Sequence, residues 1–151
     1  MTATSSLLLC LLALLVGALI PVQAASNAVL SKATGGIAYP SIILFSVALI
    51  VAVSFAVLTR ATVPPLSSFT TAPRYGYLGG FIVASYVLTI TFLAPRLGVG
   101  TAIAFVVTGQ ILGSAMIDQF GLMNSVVAEL TPKRLLGMAM IIVGAFLAKK
   151  I

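Results

Sequence analysis

The chain has 151 residues, of which 61% are hydrophobic and only 7% charged; its net charge is +6 and its mean hydropathy +1.25. An average soluble domain is about 45–50% apolar and about 25% charged, so a soluble fold of this size would lack the polar side chains to face water. The composition is that of an integral membrane protein with little mass outside the bilayer, and it excludes most chemistry. There is no histidine, one cysteine (Cys10) and two carboxylates, Asp118 and Glu129. A zinc site of three or four ligands, Ser-His-Asp or Cys-His catalysis and an internal disulfide all lack their residues, and no phosphate-binding glycine motif is present. We therefore expect no metal, no cofactor and no enzyme. The eight Lys/Arg stand singly or in pairs between apolar runs, the pattern of membrane-flanking charges rather than of a nucleic-acid surface.

A membrane-crossing helix needs about 20 mostly apolar residues, and the charges divide the chain into such lengths. Residues 1–31, 33–59, 75–95 and 97–117 carry no charged side chain, and 135–148 form a shorter fifth interval. The pattern predicts an all-α bundle of five transmembrane helices in a single domain over 1–151, with spans at approximately 6–29, 38–59, 76–95, 99–121 and 132–149. In the first, Leu7 to Leu19 followed by Val22-Gln-Ala24 also has the outline of a signal peptide. Met1–Ser6 contains no Lys or Arg, however, so a retained helix is expected. Gly35-Gly36 separates spans one and two, and the polar, proline-rich stretch Thr62–Pro73 reads as a loop. Pro95-Arg-Leu-Gly98 predicts a tight turn between spans three and four. Thr131-Pro132 predicts an N-cap and first helical residue for span five. Lys133, Arg134, Lys149 and Lys150 flank that span and can reach outward to the headgroups. Tyr39, Tyr75 and Tyr77 fall at span ends, as in an interfacial aromatic belt.

Few residues could carry chemistry. In span one, Pro21 removes a backbone hydrogen bond to Gly17, and Gln23 and Asn27 follow it four residues apart on one face. Two amides beyond a kink suit a polar transport site and equally suit hydrogen bonds between helices. Span four carries Gln110, Ser114 and Asp118 at successive i+4 spacing, a polar stripe on an apolar helix. An ionisable group in a span is a functional candidate. Asp118, however, lies just before Gly121, a predicted C-cap. There a carboxylate opposes the helix dipole and calls for a cation. Lys133 and Arg134 emerge on the same side, so an Asp118–Arg134 ion pair is expected, with ion coupling as the other reading. Tyr86 lies mid-span with Ser85 and Thr89 and could line a cavity. Gly109 and Gly113, like Gly137 and Gly144, repeat on single helix faces and permit close helix packing, within one copy or between copies. Glu129 reads as a loop residue near Lys133.

Five spans place Arg60, Arg74, Lys133 and Arg134 on one side and Lys32, Arg96, Lys149 and Lys150 on the other, four against four. Orientation follows an excess of Lys/Arg on the cytoplasmic side. With no excess, insertion in both orientations and antiparallel pairing become open to the chain, the alternative being one orientation set by loop length or the amino terminus.

The runs Leu93-Ala-Pro-Arg-Leu-Gly98, Thr108-Gly-Gln-Ile-Leu112 and Ile117-Asp-Gln-Phe-Gly-Leu122 resemble the YdcZ-type inner-membrane exporters of the drug/metabolite transporter superfamily. So do Pro21-Val-Gln23 with Asn27, and Arg134-Leu-Leu-Gly137. The resemblance covers nearly the whole chain. It implies half of a ten-span fold built from two inverted five-span repeats, hence a homodimer in the bacterial inner membrane. Two departures matter. Gln119 stands where the family often has His after the Asp, which removes a titratable group. The first span also lacks the glutamate of the small multidrug resistance relatives, so their proton/drug exchange does not carry over. The expected function is secondary transport, as export of a small metabolite or amphipathic compound by alternating access. Gln23, Asn27 and Gln110 would line the pathway, with Tyr86 and Ser114 nearby. A channel-like pore and an accessory subunit of another membrane protein are the alternatives. The expected partners are the lipid bilayer, an unidentified small molecule and a second copy, with no nucleic acid.

Overall fold

A computed structural model describes residues 3–148. The chain is all-α, and no strand occurs among the described residues. Its helices are α1 (Ala3–Thr34), α2 (Ala38–Leu58), α3 (Leu66–Thr71), α4 (Leu78–Leu97), α5 (Val99–Phe120) and α6 (Pro132–Ala148), with short 3₁₀ turns at Arg74–Tyr77 and Leu122–Asn124. Among the described residues, four segments are long and apolar enough to cross a membrane: Ser6–Thr34, Ala38–Leu58, Arg74–Leu97 and Val99–Phe120. The fifth, α6, has 17 residues and at 1.5 Å per residue extends about 26 Å, against a hydrocarbon core of about 30 Å. Lys149 and Lys150, the expected outer flank of that span, lie outside the described residues.

The boundaries differ from the charge-derived ones in an informative way. α1 runs through Pro21 and on to Thr34, taking in Lys32, which as a cation in the last turn complements the helix dipole. α4 runs through Pro95 to Leu97, so the expected four-residue turn contracts to Gly98, whose φ of 82° no larger residue adopts readily. Proline near the end of a helix deletes a single hydrogen bond and leaves the remaining ones intact. The proline-rich stretch after α2 contains α3, a helix of 6 residues.

The chain divides into two compact units, Ser26–Phe92 on the one hand and Met1–Ala25 with Leu93–Ile151 on the other. In Ser26–Phe92 the buried side chains are Asn27, Ala28, Pro40, Ser41, Val87, Ile90 and Thr91. In the other unit Ala24, Ala94, Ala102, Thr108 and Ala115 are buried, and α5 packs on α6 with Phe105 and Phe146 edge to face, ring centres 5.1 Å apart. Most of these buried side chains are small or hydroxylated, with Pro40, Val87 and Ile90 the larger apolar ones and Asn27 the one amide. The large aliphatic side chains face outward, as on Leu7–Leu19 and on α2 beyond Phe45. Water would penalise that arrangement. In lipid, whose chains are as apolar as leucine, outward leucines cost nothing and helix contact depends on close backbone approach and hydrogen bonds.

Candidate functional site

Within Ser26–Phe92 two polar side chains meet in the buried interior. The Asn27 amide donates through Nδ2 to Thr91 Oγ1 at 3.2 Å, and Asn27 and Thr91 are 6% and 0% exposed. Thr91 sits on the buried stripe Val87, Ile90, Thr91, Ala94 of α4, whose i, i+3, i+4, i+7 spacing places all four on one face. Pro95 has no N–H to offer the Thr91 carbonyl four residues back, so this turn of α4 carries both a side-chain hydroxyl and a freed carbonyl. The sequence points to Asn27 but not to Thr91, for which the available signal is a hydroxyl residue four before a proline inside a span. Tyr86, on the same helix, is half-buried, and its phenolic oxygen is buried with no hydrogen-bond partner among the described residues.

In the other unit Gln23 is half-buried, with its Nε2 buried and without a partner among the described residues. Gln110 and Ser114 are exposed, and the Ser114 hydroxyl donates to the Ile111 carbonyl of its own helix at 3.0 Å. No hydrogen bond joins Gln23 to Gln110 among the described residues. Among the described residues, Asp118 is the member of the stripe Gln110, Ser114, Asp118 whose side chain bonds another element. A Cβ placed on Gly109, Gly113, Gly137 or Gly144 would meet nothing within 4 Å, so among the described residues nothing packs closely on these four positions.

The most elaborate arrangement lies at the end of α5. The last carbonyls of a helix have no intrahelical donor, and here the following loop folds back to supply donors. Gly121 adopts φ 57°; a Cβ there would lie 2.8 Å from Val127 Cγ2, so the loop packs where only glycine leaves room. Ser125 Oγ donates to the Ile117 carbonyl at 3.2 Å, and the Ala128 N–H to the Asp118 carbonyl at 3.0 Å. The Leu130 N–H donates to Gln119 Oε1 at 2.7 Å. Thr131 then caps α6, its hydroxyl accepting the Arg134 N–H at 3.3 Å. This cap orients Arg134 back toward α5, where its guanidinium donates to the Ala128 carbonyl at 2.8 Å and forms a charge-assisted bond to Asp118 Oδ2. Each side chain of that ion pair is about a third exposed. The arrangement is a clasp joining the end of α5 to the start of α6. Gln119 is one of its hydrogen-bonding members, and Glu129 is an exposed loop residue within it.

Residues 8–147 match the family model described as "Putative inner membrane exporter, YdcZ". The chain belongs to this YdcZ family. With four helices able to cross the membrane, this YdcZ member is a multi-pass inner membrane protein of a transporter family. No curated protein and no solved structure matches the chain.

Proposed function

We propose that this YdcZ-family chain exports a small metabolite or amphipathic compound by alternating access, as a secondary transporter that works as a dimer. Besides the family, one observation carries this reading: Gln23 Nε2 and the Tyr86 hydroxyl are buried in membrane-crossing helices with no partner within the described chain. Hydrocarbon offers them nothing, and an unsatisfied polar group there costs several kcal/mol, roughly the cost of its lost hydration. Water or a polar ligand would satisfy each of them. Gln23, Asn27 and Gln110 supply the principal polar groups of the transport pathway, Tyr86 and Ser114 further ones. Asp118 and Arg134, joined to each other, hold structure instead of coupling an ion. The open space at Gly109, Gly113, Gly137 and Gly144 supports contact with a second copy.

The reading is tested by screening a metabolite panel for thermal shifts in detergent, then measuring counterflow of the hit in liposomes containing the purified protein alone. The expected result is saturable counterflow, abolished by Gln23→Leu while insertion and oligomeric state persist. Flux without saturation would mean a pore. If Gln23→Leu binds the hit normally but runs as a monomer, the amide joins the copies and the pathway lies elsewhere. A cysteine at Ser68, exposed in the connection after α2, should be labelled from both membrane faces in separate molecules; strictly one-sided labelling excludes an antiparallel dimer.

A further inference from the structure

The connection from the end of α2 to the start of α4 lies wholly within Ser26–Phe92. It joins two membrane-crossing helices, so it runs along the bilayer surface. α2 ends in a Schellman arrangement: the Arg60 N–H bonds the Val57 carbonyl at 3.0 Å and the Ala61 N–H bonds the Ala56 carbonyl at 2.9 Å. The left-handed residue of that arrangement is ordinarily glycine, yet here it is Arg60, at φ 50°. A strained arginine is thereby set at the membrane boundary.

Beyond it the chain presents Val63 at 91%, Leu66 at 79% and Phe69 at 49% exposure. Leu66 and Phe69 are three apart and share a face of α3. Three of the polar side chains beside them bond the backbone. Thr70 Oγ1 and Thr71 Oγ1 donate to the Ser67 carbonyl at 3.0 and 2.9 Å, and the Tyr77 hydroxyl donates to the Phe69 carbonyl at 2.7 Å, holding α3 to the entry of α4. Such a segment gives up little hydration when it leaves water. Its cations are another matter. Ser26–Phe92 contains Lys32, Arg60 and Arg74 and no acidic residue at all, and neither Arg60 nor Arg74 has an ion pair or side-chain hydrogen bond among the described residues.

We infer that the segment 60–77 docks into the headgroup region of an anionic phospholipid leaflet. Val63, Leu66 and Phe69 enter the upper acyl layer, and Arg60 and Arg74 bind lipid phosphate. Two features favour lipid over a protein partner. The segment links two membrane-crossing helices whose apolar side chains next to it, Val57 and Leu58 on α2 and Leu78 and Phe81 on α4, are exposed, and the only charge the unit offers is positive, the complement of a phosphate-rich leaflet. The inference rests on membrane insertion and is independent of what, if anything, is exported.

The chain contains no tryptophan, so single-tryptophan variants report this segment alone. Leu66→Trp, Phe69→Trp and Ser67→Trp are placed in nanodiscs of phosphatidylcholine with or without phosphatidylglycerol. Emission from L66W and F69W should be blue-shifted and quenched by brominated acyl chains, while S67W stays open to acrylamide. Brominated phosphatidylglycerol should act as an enriched neighbour by roughly fivefold per arginine over brominated phosphatidylcholine. Combining L66W with R60Q and R74Q should erase that preference and keep the blue shift. Three results overturn the inference: L66W and F69W as open to acrylamide as S67W, blue-shifted emission that neither brominated lipid quenches, which assigns the edge to a protein contact, or equal quenching by the two lipids in the presence of both arginines. The substituted residues are exposed, and an unchanged helical circular dichroism spectrum verifies folding in each case.

Discussion

The connection after α2 and the connection after α5 solve one problem in opposite ways. Both follow membrane-crossing helices whose last carbonyls need donors. Both also bend through left-handed residues other than glycine, Arg60 in the first and Met123 and Asn124 in the second. After α5 the loop returns to the helix it left, and its bonds to Ile117, Asp118 and Gln119 end in an ion pair from α6. After α2 the bonds stay local, apolar side chains point outward, and no carboxylate is at hand. The difference follows from where the two acidic residues of the chain fall. Asp118 and Glu129 both sit at the α5 end, so an arginine there finds its counter-charge on the adjoining helix, whereas Arg60 and Arg74 form no ion pair among the described residues. In a chain so poor in charge, the placement of a few carboxylates decides which loops are self-contained.

The comparison breaks most readily at Gly121. Gly121→Ala forces an L-residue to φ 57° and sets its Cβ 2.8 Å from Val127 Cγ2. Backbone strain and overlap together should cost about 2–4 kcal/mol, read as a lowered midpoint of chemical unfolding in detergent; an unchanged midpoint would mean the loop does not close on α5 in solution. Arg134→Leu comes next. It removes two side-chain bonds and leaves Asp118 unpaired, and with the pair about a third exposed a loss of about 1–2 kcal/mol is expected. Pairing the change with Asp118→Asn in a double-mutant cycle should recover part of that loss, and strict additivity would show that the two groups do not interact.

Gln119→Leu deletes the acceptor of the Leu130 N–H and should cost about 1 kcal/mol. Its diagnostic is faster amide exchange confined to the peptide containing Leu130; unaltered exchange there would remove Gln119 from the clasp. The smallest effect belongs to the other connection. Arg60→Gly relieves a left-handed arginine but removes a cation from a helix C-terminus, so the terms offset and stability should shift by less than about 1 kcal/mol in detergent. A loss as large as that at Gly121 would mean Arg60 has a partner inside the protein, and the contrast between the two connections would fall.

Much of the clasp and of the helix layout is written in the linear chain. Charge-free lengths locate α1, α2, α4 and α5, since crossing a bilayer demands a length and a polarity that one dimension records. Thr131-Pro132 announces the start of α6, because an N-cap is a local matter. Charge and sidedness make Asp118 and Arg134 legible as partners. Gln119, by contrast, signals in the sequence only the loss of a titratable histidine, although its amide oxygen holds the Leu130 N–H. The helix inside Thr62–Pro73 is hidden because the prolines that mark a loop are also tolerated at a helix N-cap, where Pro65 stands.

By itself, the sequence determined membrane residence, the long helices and the absence of the usual catalytic sets. These follow from composition and from spacings within one helix, which need no knowledge of neighbours. Only the tertiary structure decided the partners. Asn27 meets Thr91 across 64 positions, Arg134 reaches the Ala128 carbonyl as well as Asp118, and Gln23 and Tyr86 each have a buried polar atom without a partner among the described residues. Which face of a helix meets which neighbour depends on how the helices cross. On helices that are apolar on every side, the hydrophobic pattern carries almost no record of that choice.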